Sequence, residues 1–250
     1  MSNFSIEVRG CKSVKELNDV VELCDAAFPN TSKEYFARHV LKDKTLSFND
    51  TRILLKDGKI VSSVQIFPRI INIKEGVLRF GGIGNVATLP AERKNGFAGI
   101  LMKDALEYMI NKGFPLSMLT TDINSYYEKF GFKTILRTIG RINGIEGEKF
   151  SEIRKFNESE DLQKVKKLYN EFNCSKVGTI VRDQNYWMSQ LDFSGEDKDL
   201  FLLYEPGNEL QGFIRAQRKD NFIKILEYAF KSGNKIILKI LLKYLSGLTV

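Results

Sequence analysis

A glycine and two basic residues stand directly before a stretch with helical periodicity, and this combination is suited to binding an anion. Arg93, Lys94 and Gly96 precede a segment whose apolar residues recur at helical spacing as far as Met109. The first N–H groups of a helix have no partner within it, and the helix dipole adds partial positive charge there. Glycine lets a ligand approach this backbone closely, and a pyrophosphate uses several adjacent N–H donors. The alternative is an ordinary helix N-terminus with two solvated cations.

The remaining reactive side chains lack the spacing of the common metal and nucleophile sites. The three cysteines, Cys11, Cys24 and Cys174, are far apart, and His39 is the single histidine. The parts of a zinc site, a disulfide framework and a Ser-His or Cys-His triad are therefore missing, and we expect no metal. Cys24 and His39 are interpreted as structural residues on helices.

The composition is that of a globular protein with a basic surface. The 250 residues are 43% hydrophobic and 28% charged, with a formal net charge of +7. This fits one large domain or two of ordinary size and favours anionic partners. The basic residues are scattered and no nucleic-acid-binding motif is present, so nucleic acid is not the expected partner. No apolar run reaches about 18 residues, and the N-terminus lacks the apolar stretch of a secretory signal. We therefore expect no membrane association and a cytoplasmic location.

The elements that must position the glycine loop form an α/β pattern. A capping box begins the first helix at Ser13, Asp57-Gly58 is a hairpin turn, and Gly113 ends the helix that begins near Gly96. Further helices are predicted over residues 33–41 and 124–129. Strands are predicted over residues 6–8, 51–55, 60–67, 70–73, 77–88, 116–121 and 132–139. This order is typical of layers in which helices flank a mixed central sheet.

The second half of the sequence repeats the first half weakly, but in the same order. Glu7-Val8-Arg9 is echoed by Glu152-Ile153-Arg154, and Tyr35-Phe36 by Tyr186-Trp187. At the shift of the first echo, Leu17, Val20 and Leu23 correspond to Leu162, Val165 and Leu168. We therefore predict two domains, residues 1–140 and 150–250, joined by a linker at 140–149. The second domain is expected to be a diverged copy that lacks the last strand, short helix and closing strand of the first.

Two motifs resemble those of the GNAT superfamily of acyl-CoA N-acyltransferases. Val86-Ala87-Thr88-Leu89-Pro90, followed by Arg93-Lys94-Asn95-Gly96-Phe97-Ala98, resembles the V-x-x-x-P and R/Q-x-x-G-x-G/A signature in a strand-to-helix context. Tyr126-Tyr127-Glu128-Lys129-Phe130-Gly131-Phe132 is similar to the Y-x-x-x-G-F segment of that superfamily. The resemblance covers roughly residues 3–140, and the predicted order of elements matches the GNAT fold.

The resemblance implies acetyl-CoA, or another acyl-CoA, as the donor. It implies that backbone groups of Val86, Ala87 and Thr88 contact the pantetheine arm. It also implies that the pyrophosphate is bound by the loop of Arg93, Lys94, Asn95, Gly96, Phe97 and Ala98.

Tyr127 matches the tyrosine that protonates the departing CoA thiolate, with Tyr126 as the less favoured candidate. The alternative for Tyr127 is an aromatic side chain packed among its neighbours. The general base is left open. Asp122 is either that base or the N-cap of the short helix, and Thr120 stands where many members have an asparagine.

The resemblance implies that the chain transfers an acyl group, most simply acetyl, to an amine by direct attack through a tetrahedral intermediate. The tandem arrangement resembles the Eis-like acetyltransferases. The second, degenerate GNAT-like domain is expected to bind no CoA, because residues 231–235 lack the R-x-x-G-x-A pattern. The expected acceptor is a small amine or peptide amine, and self-association is expected through the second domain. The alternative is a non-catalytic acyl-CoA-binding or interaction module that retains the fold.

Overall fold

The chain divides into two compact units. The computed structural model describes residues 4–136, 139–193, 199–219 and 221–248. The first unit comprises Met1–Ile71, Val77–Leu136 and Val181–Phe193, and the second comprises Asn72–Gly76, Arg137–Ile180 and Ser194–Val250. Residues 181–193 thus group with the first unit, although they follow the linker predicted at 140–149. The domain limits 1–140 and 150–250 stay a prediction.

A mixed sheet forms the centre of the first unit, as the sequence predicts. Among the described residues it has six strands, of which five lie in the spatial order β1 (Ile6–Gly10), β2 (Thr51–Lys56), β3 (Lys59–Ile73), β4 (Gly76–Thr88) and β5 (Ser117–Leu119). β1 and β3 each pair antiparallel with β2, whereas β5 pairs parallel with β4. The turn between β2 and β3 places Asp57 and Gly58 at positive φ, which confirms the predicted hairpin turn.

Four helices of the first unit flank this sheet: α1 (Val14–Ala27), α2 (Lys33–Leu41), α3 (Phe97–Asn111) and α4 (Asn124–Glu128). The side chain of Ser13 accepts a hydrogen bond from the backbone of Glu16, so the predicted start of α1 is confirmed. α3 buries one face, which includes Leu101, Met102 and Ala105, against sheet residues such as Ile66. This packing fixes the N-terminus of α3 beside the end of β4.

The predicted strands differ from the structure in two regions. The strands expected at 60–67 and 70–73 are one continuous strand, β3, which runs through Pro68. Residues 132–136, expected to begin a closing strand, have no regular structure, and Ile135 and Leu136 are 86% and 92% exposed. A strand needs a partner, and the neighbouring edge strand β5 offers only three residues. Residues 137 and 138 of that predicted strand lie outside the described residues.

The described residues from 150 onward contribute a second sheet and three α-helices. The elements are β6 (Ile153–Lys155), α5 (Glu158–Asn173), β7 (Ile180–Val181), α6 (Gln184–Phe193), β8 (Asp199–Tyr204), β9 (Gly212–Lys219), β10 (Phe222–Phe230) and α7 (Ile236–Ser246). The sheet order is β10-β9-β8-β6, with antiparallel neighbours, while β7 pairs with β3. Ile214 from β9 packs against Ile237 and Leu241 from α7 in one buried cluster.

The two sheets have the same strand order, and each carries a similar, partly buried ion pair. β6, β8, β9 and β10 follow one another in space as β1, β2, β3 and β4 do. Arg9 binds Glu16 with two hydrogen bonds of 3.0 and 2.8 Å, and Arg154 binds Asp161 with two of 2.6 and 2.7 Å. Each carboxylate also accepts the backbone N–H four residues earlier, at 2.7 and 2.8 Å. These parallels occur at the positions that the sequence echo predicts.

Residues 181–193 are anchored within the first unit by buried contacts. Trp187 is fully buried, and α6 packs against α2. The backbone N–H of Lys44 donates to the hydroxyl of Ser189 at 3.0 Å. The guanidinium of Arg69 lies 4.7 Å from the ring centre of Tyr186 and pairs with Asp43, whose side chain is fully buried. The first unit is therefore built from segments that are distant in the sequence.

The predicted linker packs closely within the second unit. The backbone N–H of Glu148 donates to the carbonyl of Lys243 at 3.2 Å, and their side chains form an ion pair at 2.6 Å. A Cβ built on Gly147 would lie 2.4 Å from the Cα of Gly247, so the two backbones touch there. Residues 140–149 are thus held against α7.

Among the residues that the structure describes, no helix combines the length and the apolar character that a membrane span requires.

Candidate functional site

The loop between β4 and α3 has a backbone that only a few residue types adopt readily. A 3₁₀ turn at Pro90–Glu92 follows β4, and φ is +67° at Lys94 and +79° at Gly96, immediately before α3. Left-handed residues in such a turn direct successive N–H groups towards one side and create a concavity for an anion. Gly96 adopts this conformation at little cost, because it has no Cβ.

The N–H groups of this loop have no acceptor among the described residues. Within the described part of the chain, the backbone N–H groups of residues 94–99 donate to no backbone or side-chain oxygen. By contrast, α1 and α2 begin at Ser13 and Ser32, whose hydroxyls each accept a backbone N–H. Gly96 has no side chain that could cap α3 in this way. The start of α3 is therefore open to an external acceptor.

Five of these six residues, Lys94 and residues 96–99, line a cleft of about 620 Å³. One wall is a stripe on α3, formed by Gly96, Gly99, Ile100 and Lys103, because residues three and four apart share a helix face. The other wall comes from α4 and the residues that follow it. The complete lining is Thr88, Glu92, Arg93, Lys94, Gly96, Phe97, Ala98, Gly99, Ile100, Lys103, Tyr126, Lys129 and Phe130.

Contacts from three side chains hold the loop in place. Arg93 donates from its guanidinium to the carbonyl of Ala27 at the end of α1, at 2.8 Å. Lys56 on β2 contacts both carboxylate oxygens of Glu92 at 2.9 Å, and Asn95 donates to the same residue at 3.2 Å. Lys56 thereby neutralises the carboxylate that lines the cleft, and the cleft keeps an excess of positive charge.

The end of β4 reaches the cleft through Thr88. The Thr88 hydroxyl lies 2.8 Å from the hydroxyl of Ser62, which also donates to the carbonyl of Ala87 at 2.7 Å. Ala87 is buried, and Val86 packs against the core. Asn85 has a φ of +48°, so the strand departs from regular geometry just before the predicted pantetheine segment.

The ring of Tyr127 is buried, with 8% of the residue exposed, and packs at 5.0 Å from the Tyr126 ring and 6.2 Å from the Phe132 ring. Its hydroxyl makes no hydrogen bond to the described residues, yet it is not among the polar atoms sealed from solvent. Burial, followed by the charge of Tyr126, raises the pKa of Tyr127 above its ordinary value. The hydroxyl therefore stays protonated at neutral pH.

Tyr126, in contrast, lines the cleft. The ammonium group of Lys129 lies 4.1 Å from its ring centre, and burial raises the pKa of Tyr126 as well. Asp122 is exposed and does not cap α4, which begins after Ile123 without a side-chain cap, so the capping interpretation of Asp122 is wrong.

The sequence predictions cover part of the cleft. Thr88, Arg93, Lys94, Gly96, Phe97 and Ala98 line it, whereas Val86, Ala87, Asn95 and Tyr127 do not. The lining residues that the sequence analysis did not assign to the cofactor are Glu92, Gly99, Ile100, Lys103, Tyr126, Lys129 and Phe130. Helical spacing from Gly96 was a signal for three of these, Gly99, Ile100 and Lys103.

The other reactive groups do not form a site. Burial raises the pKa of the thiols of Cys11 and Cys24 to about 12, so neither is a thiolate at neutral pH. Burial lowers the pKa of His39, whose Nδ1 lies 2.7 Å from the carbonyl of Tyr35. The described residues contain no cluster of three or more His, Cys, Asp or Glu that could hold a metal ion.

The fold and the cleft define a class of protein. Residues 7–135 match the family model of the acetyltransferase (GNAT) domain, and this range is more than half of the 250 residues. The chain belongs to the GNAT acetyltransferase family. The predicted family and the predicted mixed α/β fold are both confirmed. No curated protein matches the sequence.

Several solved structures have a similar fold over almost the whole length of this chain. A conserved protein of Enterococcus faecalis V583, called a probable N-acyltransferase, superposes with a TM-score of 0.70 at 18% identity. Eis1 of Mycobacterium abscessus gives a TM-score of 0.66 at 13% identity. The alignments cover 99% and 98% of this chain but only 62% of each of those chains. Saccharomyces cerevisiae N-myristoyltransferase with bound myristoyl-CoA gives a TM-score of 0.66 at 12% identity, covering 100% of this chain and 74% of that one.

Proposed function

We propose that the protein is an N-acyltransferase that transfers an acetyl group from acetyl-CoA to an amine. The observation that carries the proposal is the row of unpaired N–H groups at residues 94–99, which opens into a cationic cleft. A pyrophosphate supplies acceptors for such a row and is attracted by the surrounding charge. The family to which the chain belongs supports the same ligand, and the yeast relative holds an acyl-CoA.

The backbone and one tyrosine carry the chemistry in this proposal. Val86, Ala87 and Thr88 contact the pantetheine arm, and a backbone N–H of this segment stabilises the oxyanion. The amine nitrogen attacks the thioester carbon, the C–N bond forms, and the C–S bond breaks as the tetrahedral intermediate collapses. Tyr127 gives its proton to the departing thiolate, and the proton that the amine nitrogen loses passes to water, from which Tyr127 is reprotonated. Because a thiol has a pKa near 8.5, the thiolate already leaves readily, and a positioned acid adds about 10²–10⁴-fold.

The acceptor in the proposal is a small amine or a peptide amine. A protein with a net charge of +7 repels strongly polycationic acceptors unless its cleft is locally acidic. The rival function is a non-catalytic acyl-CoA-binding module that retains the fold. Release of free thiol from acetyl-CoA, measured over a panel of amines, distinguishes the two. An enzyme releases thiol with at least one amine, and a binding module releases none while still binding CoA.

CoA binding is tested by placing a carboxylate in the loop. Gly96→Glu puts bulk and negative charge where the pyrophosphate binds, and we expect calorimetry to detect no CoA binding. Gly58→Glu is the matched control, because Gly58 has a φ of +77°, close to the +79° of Gly96, has nothing near its Cβ position and lies outside the cleft. Unchanged CoA affinity in folded Gly96→Glu would remove the basis of the proposal.

For the second unit, we propose a diverged GNAT-like copy that binds no CoA of its own. The shared strand order and the matching Arg9–Glu16 and Arg154–Asp161 pairs support the copy. A titration with one CoA bound per chain is the expected result, and two per chain would contradict it. Self-association through this unit and a cytoplasmic location belong to the same proposal. The free thiols are typical of that compartment.

A further inference from the structure

We infer that Lys103 and Lys129 form a second anion site in the cleft, which recognises the 3′-phosphate of CoA and makes the protein discriminate against 3′-dephospho-CoA. The inference rests on the proposed function, because it assigns a further part of the same ligand to the same cleft. Lys103 belongs to the α3 wall and Lys129 to the α4 wall. Neither lysine belongs to the loop that offers the unpaired N–H groups.

The carboxylates that follow Lys103 most closely in the sequence form no ion pair with it among the described residues. Asp104 binds Arg52 through two hydrogen bonds of 2.6 and 2.9 Å. Glu107 stands one helical turn after Lys103, yet the described part of the chain contains no ion pair between them. Lys103 lines the cleft and does not pair with the carboxylate one helical turn away. Its positive charge is therefore available to an anion of the ligand.

The ammonium group of Lys129 is held above an aromatic surface. It lies 4.1 Å from the ring centre of Tyr126 and 5.1 Å from that of Phe130, and it has no ion-pair partner among the described residues. Cation–π contacts orient an ammonium group without neutralising its charge. Lys129 therefore presents a fixed positive charge to the cleft.

The spacing of the two anion sites fits one nucleotide. Lys103 follows Gly96 by two helical turns, an axial distance of about 10 Å. Side chains on a helix lean towards its N-terminus, so the Lys103 ammonium group reaches back towards the loop. The surface between the two sites is apolar and partly aromatic, from Ile100, Tyr126 and Phe130. A nucleoside that carries a 5′-pyrophosphate and a second phosphate on the same ribose matches this arrangement. The pyrophosphate fits the loop, the base fits the apolar surface, and the second phosphate fits the two lysines.

The test compares the affinities of CoA and 3′-dephospho-CoA by calorimetry in the wild type, in the double variant Lys103→Gln/Lys129→Gln and in Lys112→Gln. We expect the wild type to bind CoA about tenfold tighter or more, the amount that 1.4 kcal/mol provides. In the double variant the ratio should approach one, because CoA affinity falls while the affinity for 3′-dephospho-CoA changes little. Lys112→Gln removes one exposed charge from the end of the same helix, outside the cleft, and should keep the ratio.

Two results overturn the inference while the proposed function stands: equal affinity of the wild type for both ligands, or an unchanged ratio in the double variant. Failure of both ligands to bind the wild type contradicts the proposed function itself.

Kinetic measurements with an amine that the enzyme accepts give a second readout. The double variant should raise KM for acetyl-CoA and leave kcat unchanged, because the ribose phosphate is remote from the thioester. A lower kcat with an unchanged KM would argue against the assignment.

Discussion

Replacing Gly99 by alanine should stabilise the protein and weaken CoA binding at the same time. Gly99 lies in the first turn of α3 and lines the cleft, and a Cβ built on it meets nothing within 4 Å. Glycine inside a helix lowers the free energy of unfolding by about 0.5–1 kcal/mol relative to alanine. Gly99→Ala should therefore raise the free energy of unfolding by up to that amount. For a domain of this size, about 1 kcal/mol corresponds to roughly 2–4 °C in Tm. The space that makes the methyl group harmless to the fold is the space that the ligand needs.

The same methyl group would stand among the unpaired N–H groups of residues 94–99. We expect CoA affinity to fall about tenfold, which corresponds to 1.4 kcal/mol. Thermal unfolding without ligand and calorimetry with CoA measure the two effects separately. Gly140→Ala, at an open position outside the cleft, should leave CoA affinity unchanged. If Gly99→Ala raises Tm and keeps full CoA affinity, the ligand does not approach this turn of α3 and the assignment of the cleft is refuted.

Three other predictions test the catalytic acid, the packing of the second unit and its ion pair. Tyr127→Phe should keep CoA binding and reduce turnover by about 10²–10⁴-fold, while Tyr126→Phe reduces it much less; equal small effects would make Tyr127 a packing residue. Gly147→Ala should destabilise the protein by about 1–3 kcal/mol in denaturant unfolding, because its Cβ would lie 2.4 Å from a backbone atom at the end of α7; an unchanged midpoint would contradict that contact. The hydrogen bonds from Arg154 lower the pKa of Asp161 below its ordinary 3.8, so this carboxylate stabilises the fold above that pH and loses its contribution as the pH falls through the lowered pKa. Asp161→Asn should therefore be less stable at pH 7 and approach the wild type in acid, as pH-dependent unfolding would measure; a difference that grows in acid would refute the sign.

The fold was predictable where local chemistry decides it. The Ser13 cap and the Asp57-Gly58 turn depend on neighbouring residues alone, and both are present as expected. The strand through Pro68 and the missing strand at 132–136 were not predictable, because they depend on which partners the rest of the sheet supplies. Hydrophobic periodicity is a local property of the sequence and carries no information on which distant segments pair.

The same distinction applies to the cleft. The loop with Gly96 was found because its residues are adjacent in the sequence. Helical spacing from Gly96 indicates the position of Lys103 beside the loop, whereas the position of Lys129 results from the packing of two helices and has no signal in the sequence. The neighbouring tyrosines show the limit most directly. Their spacing from Gly131 favours Tyr127, while the short helix turns Tyr126 towards the cleft and places the ring of Tyr127 in the core.

The position of α6 in the first unit has a consequence for synthesis on the ribosome. The first unit includes Val181–Phe193, and Trp187 of this segment is fully buried in the chain. A nascent chain that has emerged only as far as the cleft residues cannot yet bury the surface of α2 against α6. Until α6 has been synthesised, apolar groups of the incomplete first unit are exposed to other chains and to chaperones. Translation must therefore pass residue 193 before the unit that contains the cleft can close.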